Sequence, residues 1–367
     1  MVREFSLIEG LRRRLPAIGD DAAVVDGPSG SLLLCADAAV AGVHADLALV
    51  GVDDLGWKAL AAAVSDVAAM GGRARYCLVT VSGPLGEIDF DLLFDGLLAA
   101  SEACGCPIVG GDLTHAPTLV VSVAVVGDGD EAAFGGRPPV LRSGAGPGDT
   151  LFVTAPLGAA AAGLALLRAG RAAEDADLDL AHRRPRPRLH EGEAARRVGA
   201  TAMIDLSDGL ASDLNHLADA SGVGVVLDRV PVALGVARIS DDPEATALGG
   251  GEDYELLFSA PDPDGVEAAF AASGLPIPLR IGRCTADPAE RRLRDAELPL
   301  LGWEHAWPER PSERGARPER PSERGARPER PSERGARPER PSERGARPEP
   351  PSERGARPEP PSEREAQ

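Results

Sequence analysis

The sequence predicts an α/β (α+β) fold: a mixed-sheet N-terminal domain, a C-terminal α/β domain, and a disordered tail. Three observations carry this. Short apolar runs that read as strands alternate with Ala- and Leu-rich runs that read as helices as far as Trp307. Pro138-Pro139 and the Ser143–Gly148 stretch break that alternation midway. From Trp307 a ten-residue unit, RPERPSERGA in its pure form at Arg317–Ala326, repeats six times without Leu, Ile, Val or Phe. Such a segment can bury no core, and its prolines forbid regular helix or sheet, so it reads as an extended, charge-balanced tail. The expected divisions are residues 1–141, 142–306 and 307–367.

The elements follow in order. Phe5 to Leu15 reads as an amphipathic helix stopped by Pro16, and Ala22 to Val25 as a strand after Asp20-Asp21. Ser31 to Ala36 reads as a second strand ending at Asp37, before a loop with Gly42-Val43-His44. Asp54 to Gly72 reads as one buried helix, with Asp54 as N-cap and Gly71-Gly72 as its end. Next come a strand from Tyr76 to Ser82, a helix from Asp89 to Ala103, and Ile108-Val109 leading into Gly110-Gly111-Asp112. Thr118 to Val126 is a strand. The second half opens with a strand (Leu151 to Thr154) and an Ala-rich helix (Gly158 to Arg168). The charged, Pro-bearing Glu174–Arg188 stretch reads as a surface connection. Then follow a helix (Glu191 to Val198), Met203-Ile204 feeding Asp205-Leu206-Ser207-Asp208-Gly209, a helix (Leu210 to Ser221) and a strand (Gly224 to Leu227). Gly249 to Asp253 precedes a strand (Tyr254 to Ser259), and a helix (Gly265 to Ser273) and a strand (Leu279 to Ile281) close the fold.

Composition excludes several functions. The net charge is −19. Residues 308–367 hold 15 Arg and 13 Glu, or +2, which leaves −21 for residues 1–307. Such a surface repels nucleic acid. No run of about 18 apolar residues offers a membrane span, and Met1-Val2-Arg3-Glu4 does not open a signal peptide. Five scattered cysteines make no disulfide framework, so the expected compartment is a reducing cytoplasm. Lys58 is the only lysine, which rules out a GxxxxGK[ST] phosphate loop. Phosphate handling would then fall to divalent cations, backbone N–H groups and arginine.

Carboxylates recur at predicted strand or helix ends beside Gly, Ser or Ala: Asp20-Asp21, Asp37, Asp66, Asp112, Asp205 and Asp208. Strand ends converge on one edge of a sheet, where ligands bind. Asp66 is misplaced twice, in an apolar helix and near the end where the helix dipole disfavours negative charge. Two readings fit it: a carboxylate satisfied by a neighbouring Arg or loop N–H groups, or a metal ligand. Five or six such acids together would repel one another unless cations sit between them, and hard divalent cations that keep sites open for phosphate fit the Mg²⁺ pattern.

Seven motifs stand in one order: GDDAAVV (Gly19–Val25), Asp37 with GVH (Gly42–His44), SDVAAMGG (Ser65–Gly72), VGGDLT (Val109–Thr114), RSGAGPGD (Arg142–Asp149), IDLSDGLASDL (Ile204–Leu214) and GGGEDYEL (Gly249–Leu256). With a closing GW-x-H at Gly302–His305, the set resembles thiamine-monophosphate kinase, of the superfamily of aminoimidazole ribonucleotide synthetase and selenophosphate synthetase. The resemblance covers residues 4–307 and leaves the tail outside. It implies ATP-dependent phosphorylation of thiamine monophosphate to thiamine diphosphate, a two-domain ATP-binding fold, and a homodimer whose N-terminal sheets join. By resemblance, Asp21, Asp37, Asp66 and Asp112 are Mg²⁺ ligands, and Asp205 and Asp208 add metal contacts. Gly111, Asp112, Arg142 and Ser207 resemble nucleotide contacts; His44, Glu252 and Trp303 resemble groups around the thiamine phosphate. An aromatic face suits a cationic thiazolium.

Two departures stand out. Cys35-Ala36 precede Asp37 where the family often has hydroxyl residues, so metal contacts there would use backbone carbonyls. Ala45 follows His44 where an aromatic is usual. The alternatives are another ATP-dependent enzyme of the superfamily, or a catalytically weak scaffold that uses the tail to recruit a partner.

Overall fold

The computed structural model describes residues 18–28 and 30–304, with short pieces at 2–3, 8, 11–12, 14–15 and 306–307. Most of the expected Phe5–Leu15 helix and the whole repeat from residue 308 lie outside the described residues. The first strand, β1 (Val2–Arg3), pairs antiparallel with the last, β14 (Ala306–Trp307).

The first half builds a five-stranded mixed sheet from β2 (Ala23–Gly27), β3 (Gly30–Val40), β4 (Arg73–Gly83), β5 (Ile108–His115) and β6 (Val120–Asp128). Its order is β2-β3-β6-β4-β5, and only the β4–β5 pair is parallel. A parallel neighbour needs a crossover, which the helix Phe90–Cys104 supplies. Asp89 caps that helix by accepting from the Leu92 N–H. Two strands run further than their sequences suggested. The strand over Asp37 continues to Val40, and the strand at Ile108 continues through Gly110-Gly111-Asp112 to His115. In each, cross-strand pairing continues past the polar residue.

The central helix runs from Val52 to Ala69. Its N-cap is Gly51, a correction to Asp54. Asp54 sits one turn in, accepts from the Gly51 N–H at 3.3 Å, and pairs with Arg183 and Arg184 at 3.1 and 2.9 Å. One face of the helix packs Leu60, Val64 and Val67 against Val79, Val121, Val123 and Val125 of the sheet. On another, a Cβ at Gly56 would meet the Leu93 carbonyl at 2.4 Å, and a Cβ at Gly96 would meet the Asp53 carbonyl at 1.9 Å. Paired glycines thus let two helix backbones touch.

The second half builds a seven-stranded sheet from β7 (Thr150–Val153), β8 (Ala202–Asp205), β9 (Gly224–Leu227), β10 (Leu256–Ala260), β11 (Leu279–Thr285), β12 (Arg291–Leu293) and β13 (Ala296–Glu297). Its order is β13-β12-β9-β11-β7-β10-β8, antiparallel except for β12–β9. The β12–β13 hairpin was not read from the sequence; its strands are only three and two residues long. The aromatic rings of Phe152, Phe258 and Phe270 stack in sequence. Ala68 and Ala69, at the end of the central helix, pack into the same cluster. The central helix therefore serves both cores.

The Glu174–Arg188 stretch is more than a surface connection. It forms a helix, Ala176–Arg183, capped by Asp175. It buries Leu178 and His182, and its arginines reach back to Asp53 and Asp54. No helix among the described residues is long and apolar enough to cross a membrane.

Candidate active site

A cavity of about 550 Å³ opens along the central helix, where the two sheets approach. Asp37 and Asp66 line it from the first half, and Asp205, Ser207, Asp208 and Asp213 from the second. Asp37 lies within β3, its side chain on the face that carries Leu33 and Ala39 into the core. Asp66 lies one turn before the end of the central helix, and Asp205 ends β8.

At the floor, carboxylate oxygens of Asp21, Asp66 and Asp205 lie within 4.8 Å of one another. Asp21 is held by Arg142, whose guanidinium donates to its two oxygens at 3.1 and 2.8 Å. The Arg142 backbone N–H donates to Asp20 at 2.7 Å. Ser65, fully buried, donates to Asp205 at 2.6 Å. Burial, then the charges of Asp37, Asp205 and Asp21, push the Asp66 carboxyl well above the ordinary range. Burial and Asp21 push Asp205 up to about 7, against the Ser65 bond and Arg142. Burial and Asp21 raise Asp37 as well. Among the described residues Arg142 is the cation that touches this group, so the negative charge exceeds what the protein supplies against it. The donor set is all oxygen and its atoms converge, which fits a hard divalent cation.

Asp208 lines the cavity with its backbone N–H donated to Asp213 at 3.1 Å. Asp213 also accepts from the Gly209 N–H, and thereby shapes the Asp205–Gly209 turn. It was not singled out from the sequence, although it stands in the quoted IDLSDGLASDL stretch. The signal was an acid in the first turn of the following helix, where its carboxylate caps free N–H groups.

At the other end stand Trp303, Glu252 and His44. Trp303 is 54% exposed while lining the cavity, so it is not a core residue. Its backbone N–H donates to the Asp208 carbonyl at 3.0 Å. Glu252 has φ +70° in the Gly249–Leu256 loop, and its N–H donates to the Ser207 carbonyl at 2.8 Å. A left-handed glutamate is uncommon and costs backbone strain. The His44 ring Nδ1 accepts from the Val40 N–H at 3.0 Å.

The structure does not bring Gly111 and Asp112 to this cavity within one chain. Asp37 pairs with Val123, Val123 with Val79, and Val79 with Gly111, so three strand spacings, roughly 14 Å, intervene. Asp112 also pairs with Thr80, on the face opposite that of Val79. Within one chain Asp112, expected among the metal ligands, thus lies apart from the other acids. The cause is the continuation of β5 through the Gly-Gly-Asp turn that the sequence suggested. Gly111 has a structural reason of its own: a Cβ there would strike the Val79 carbonyl.

Two family domains match the chain. The AIR synthase related protein N-terminal domain covers residues 19–128, and the C-terminal domain covers residues 146–294. A thiamine-monophosphate kinase of Mycobacterium tuberculosis is 40% identical over 281 residues, covering 71% of this chain and 82% of its own length. One from Salmonella typhimurium is 39% identical over 284 residues, covering 74% of this chain and 84% of its own. This chain belongs to the thiamine-monophosphate kinase family. The family assignment extends to structure. AaThiL complexed with AMPPCP and TMP superposes with a TM-score of 0.73 at 31% identity, covering 83% of this chain and 97% of that one. The family's enzyme from Stenotrophomonas maltophilia K279a gives 0.66 at 33% identity, covering 81% and 98%. Membership makes the chain a kinase, and the two mixed sheets are the family's fold.

Proposed function

We propose that this chain transfers the γ-phosphoryl group of ATP to thiamine monophosphate, giving thiamine diphosphate, in one in-line step. The observation that carries the reading is a converging trio of carboxylates, Asp21 and Asp205 buried and Asp66 half-buried, at a cavity that Asp66 and Asp205 line together with an exposed tryptophan and a glutamate. Its support is the family, together with the related AaThiL complexed with AMPPCP and TMP.

Phosphoryl transfer asks a protein for positioning and charge neutralisation more than for covalent chemistry. Asp21, Asp66 and Asp205 would hold Mg²⁺, with Asp37 and Asp208 beside them. When bound, Mg²⁺ would neutralise phosphate oxygens and keep donor and acceptor close. The chain's own residues then do the rest. Arg142 fixes Asp21 through both of its oxygens, and Ser65 fixes one oxygen of Asp205, so each carboxylate keeps its aim. Ser207 and Arg142 are proposed to face the nucleotide. The face of Trp303 suits the cationic ring of the acceptor.

A homodimer is part of this proposal. The outer face of the first sheet carries Leu34, Val126, Tyr76 and Leu78 in adjoining register rows, each at least 36% exposed. A contiguous apolar sheet face of this kind suits a second copy. Gly111 and Asp112 lie on the edge strand of that face, so their proposed nucleotide and metal roles depend on the second copy. The test is incubation with ATP, Mg²⁺ and thiamine monophosphate, reading diphosphate formation. Absence of product, with turnover of another acceptor in a panel, would contradict the assignment.

A further inference from the structure

The chain's only lysine is buried in the cavity wall. Lys58 is 4% exposed, and its Nζ donates to Glu252 Oε1 at 2.7 Å and to the His44 carbonyl at 3.3 Å. One cation thus ties together two segments, from opposite halves of the chain, that both line the far end of the cavity. Lys58, Ala62 and Asp66 recur every four residues on one stripe of the central helix, and all three line the cavity. Eight residues of helix separate the cationic end from the acidic floor by roughly 12 Å. A phosphomonoester with its phosphate at the floor would therefore place a two-ring body along this wall.

His182 completes the far end. Its Nδ1 lies 3.4 Å from Glu252 Oε2, yet it is buried without a hydrogen-bond partner among the described residues. The side chain is 5% exposed and lines the cavity with Leu164 and Arg168. Burial, then the nearby charge of Lys58, keeps the imidazole neutral by pushing it down to about 3. A neutral imidazole offers an N–H beside a carboxylate that offers lone pairs. That edge, acceptor next to donor, is complementary to an amino group next to a ring nitrogen. Glu252 stands there on a left-handed backbone, and Lys58 holds its carboxylate.

We propose that Lys58 is a positioning residue for the acceptor: it fixes Glu252 and the His44 loop, so that Glu252 Oε2 and His182 Nδ1 select an amino-substituted nitrogen heteroaromatic. This rests on the acceptor assignment above. The bland counterpart is a buried ion pair that only joins the two halves.

The test uses full-length enzyme and measures KM for both substrates, kcat and melting temperature for wild type, Lys58→Met, Glu252→Gln and the double variant. Lys58→Met raises KM for thiamine monophosphate at least tenfold and leaves KM for ATP within about twofold. Because Lys58 acts through Glu252, the double variant is no worse than Glu252→Gln alone. The double variant also removes both charges, so it remains informative if Lys58→Met fails to fold. The sharpest readout is the oxo analogue of the acceptor, in which a carbonyl replaces the ring amino group. Wild type discriminates against it at least tenfold in kcat/KM, and the double variant loses that discrimination. Equal rises in both KM values, or discrimination that survives in the double variant, overturn the proposal while leaving the activity intact. A wild type that makes no thiamine diphosphate overturns the activity and this proposal with it.

Discussion

Two buried charged groups sit where the halves of this fold meet, and they are treated in opposite ways. Arg196 is 1% exposed. Its guanidinium donates to the carbonyls of Gly71, Gly129, Arg137 and Pro138, and it lies 3.9 Å from the centroid of the Phe134 ring. Each of its three nitrogens donates to a backbone carbonyl, and the ring adds a π-face. Burial lowers it only to about 10, so it stays charged at neutral pH. Asp21 and Asp205 are buried and Asp66 is half-buried, but their surroundings add like charge, with Arg142 as the single touching cation among the described residues. A buried charge that the protein satisfies itself is architecture. A buried charge that it leaves in excess is the place to expect a ligand of opposite sign.

The largest expected effect breaks the acidic side. Asp66→Asn keeps the shape and removes one charge, and kcat/KM should fall at least about a thousandfold, roughly 4 kcal/mol of transition-state stabilisation. A loss under tenfold would make Asp66 a packing residue. The next breaks the other side. Arg196→Met strands carbonyls from three loops, and should cost roughly 3–5 kcal/mol of stability by denaturant melts. The folded fraction should keep its kcat, since Arg196 lies outside the cavity. Loss of kcat without loss of stability would reverse the assignment.

A third group sharpens the comparison, because it meets burial by shedding its charge. His182 is pushed from its ordinary value to about 3. Its folded form therefore binds fewer protons than the unfolded chain in the window between. The stability it contributes is full above about pH 6.5 and is lost as pH falls toward 3. Between pH 6.5 and 5 the loss should be about 1–2 kcal/mol. His182→Gln should flatten the stability curve over that range, and identical slopes for variant and wild type would show that the ring is solvated. The smallest effect is expected from the tail. Truncation after Trp307 should leave kcat/KM and melting temperature unchanged, because the repeat contains no large apolar residue to dock. A tenfold loss would show that it contributes.

What the sequence made legible follows from the range of each interaction. The helix Leu210–Ser221 and the strand Gly224–Leu227 have the bounds expected, because local apolar spacing and glycine stops determine both. Asp205 and Asp66 could be picked out because an acid in an apolar run is costly whatever lies around it. Pairings across the chain were not legible. Nothing near Lys58 in sequence announces Glu252, 194 positions on. The Glu174–Arg188 stretch looked like a surface connection because it is charged and carries prolines; the partners of Arg183 and Arg184, Asp53 and Asp54, lie some 130 positions earlier. The strand through Asp112 was hidden for the converse reason: its motif signals a turn, whereas cross-strand pairing with β4 carries the strand through it.

The central claim is that the acidic floor carries charge meant for a bound cation. Its most direct test compares the thermal stability of wild type and Asp66→Asn, each with and without Mg²⁺ and ATP. Without metal, Asp66→Asn should be as stable as wild type or more so, because removing one carboxylate relieves repulsion among the others. With Mg²⁺ and ATP, wild type should gain several degrees by mass action, and the variant far less. An Asp66→Asn protein that is less stable without metal, yet gains as much from Mg²⁺ and ATP as wild type, would contradict the account.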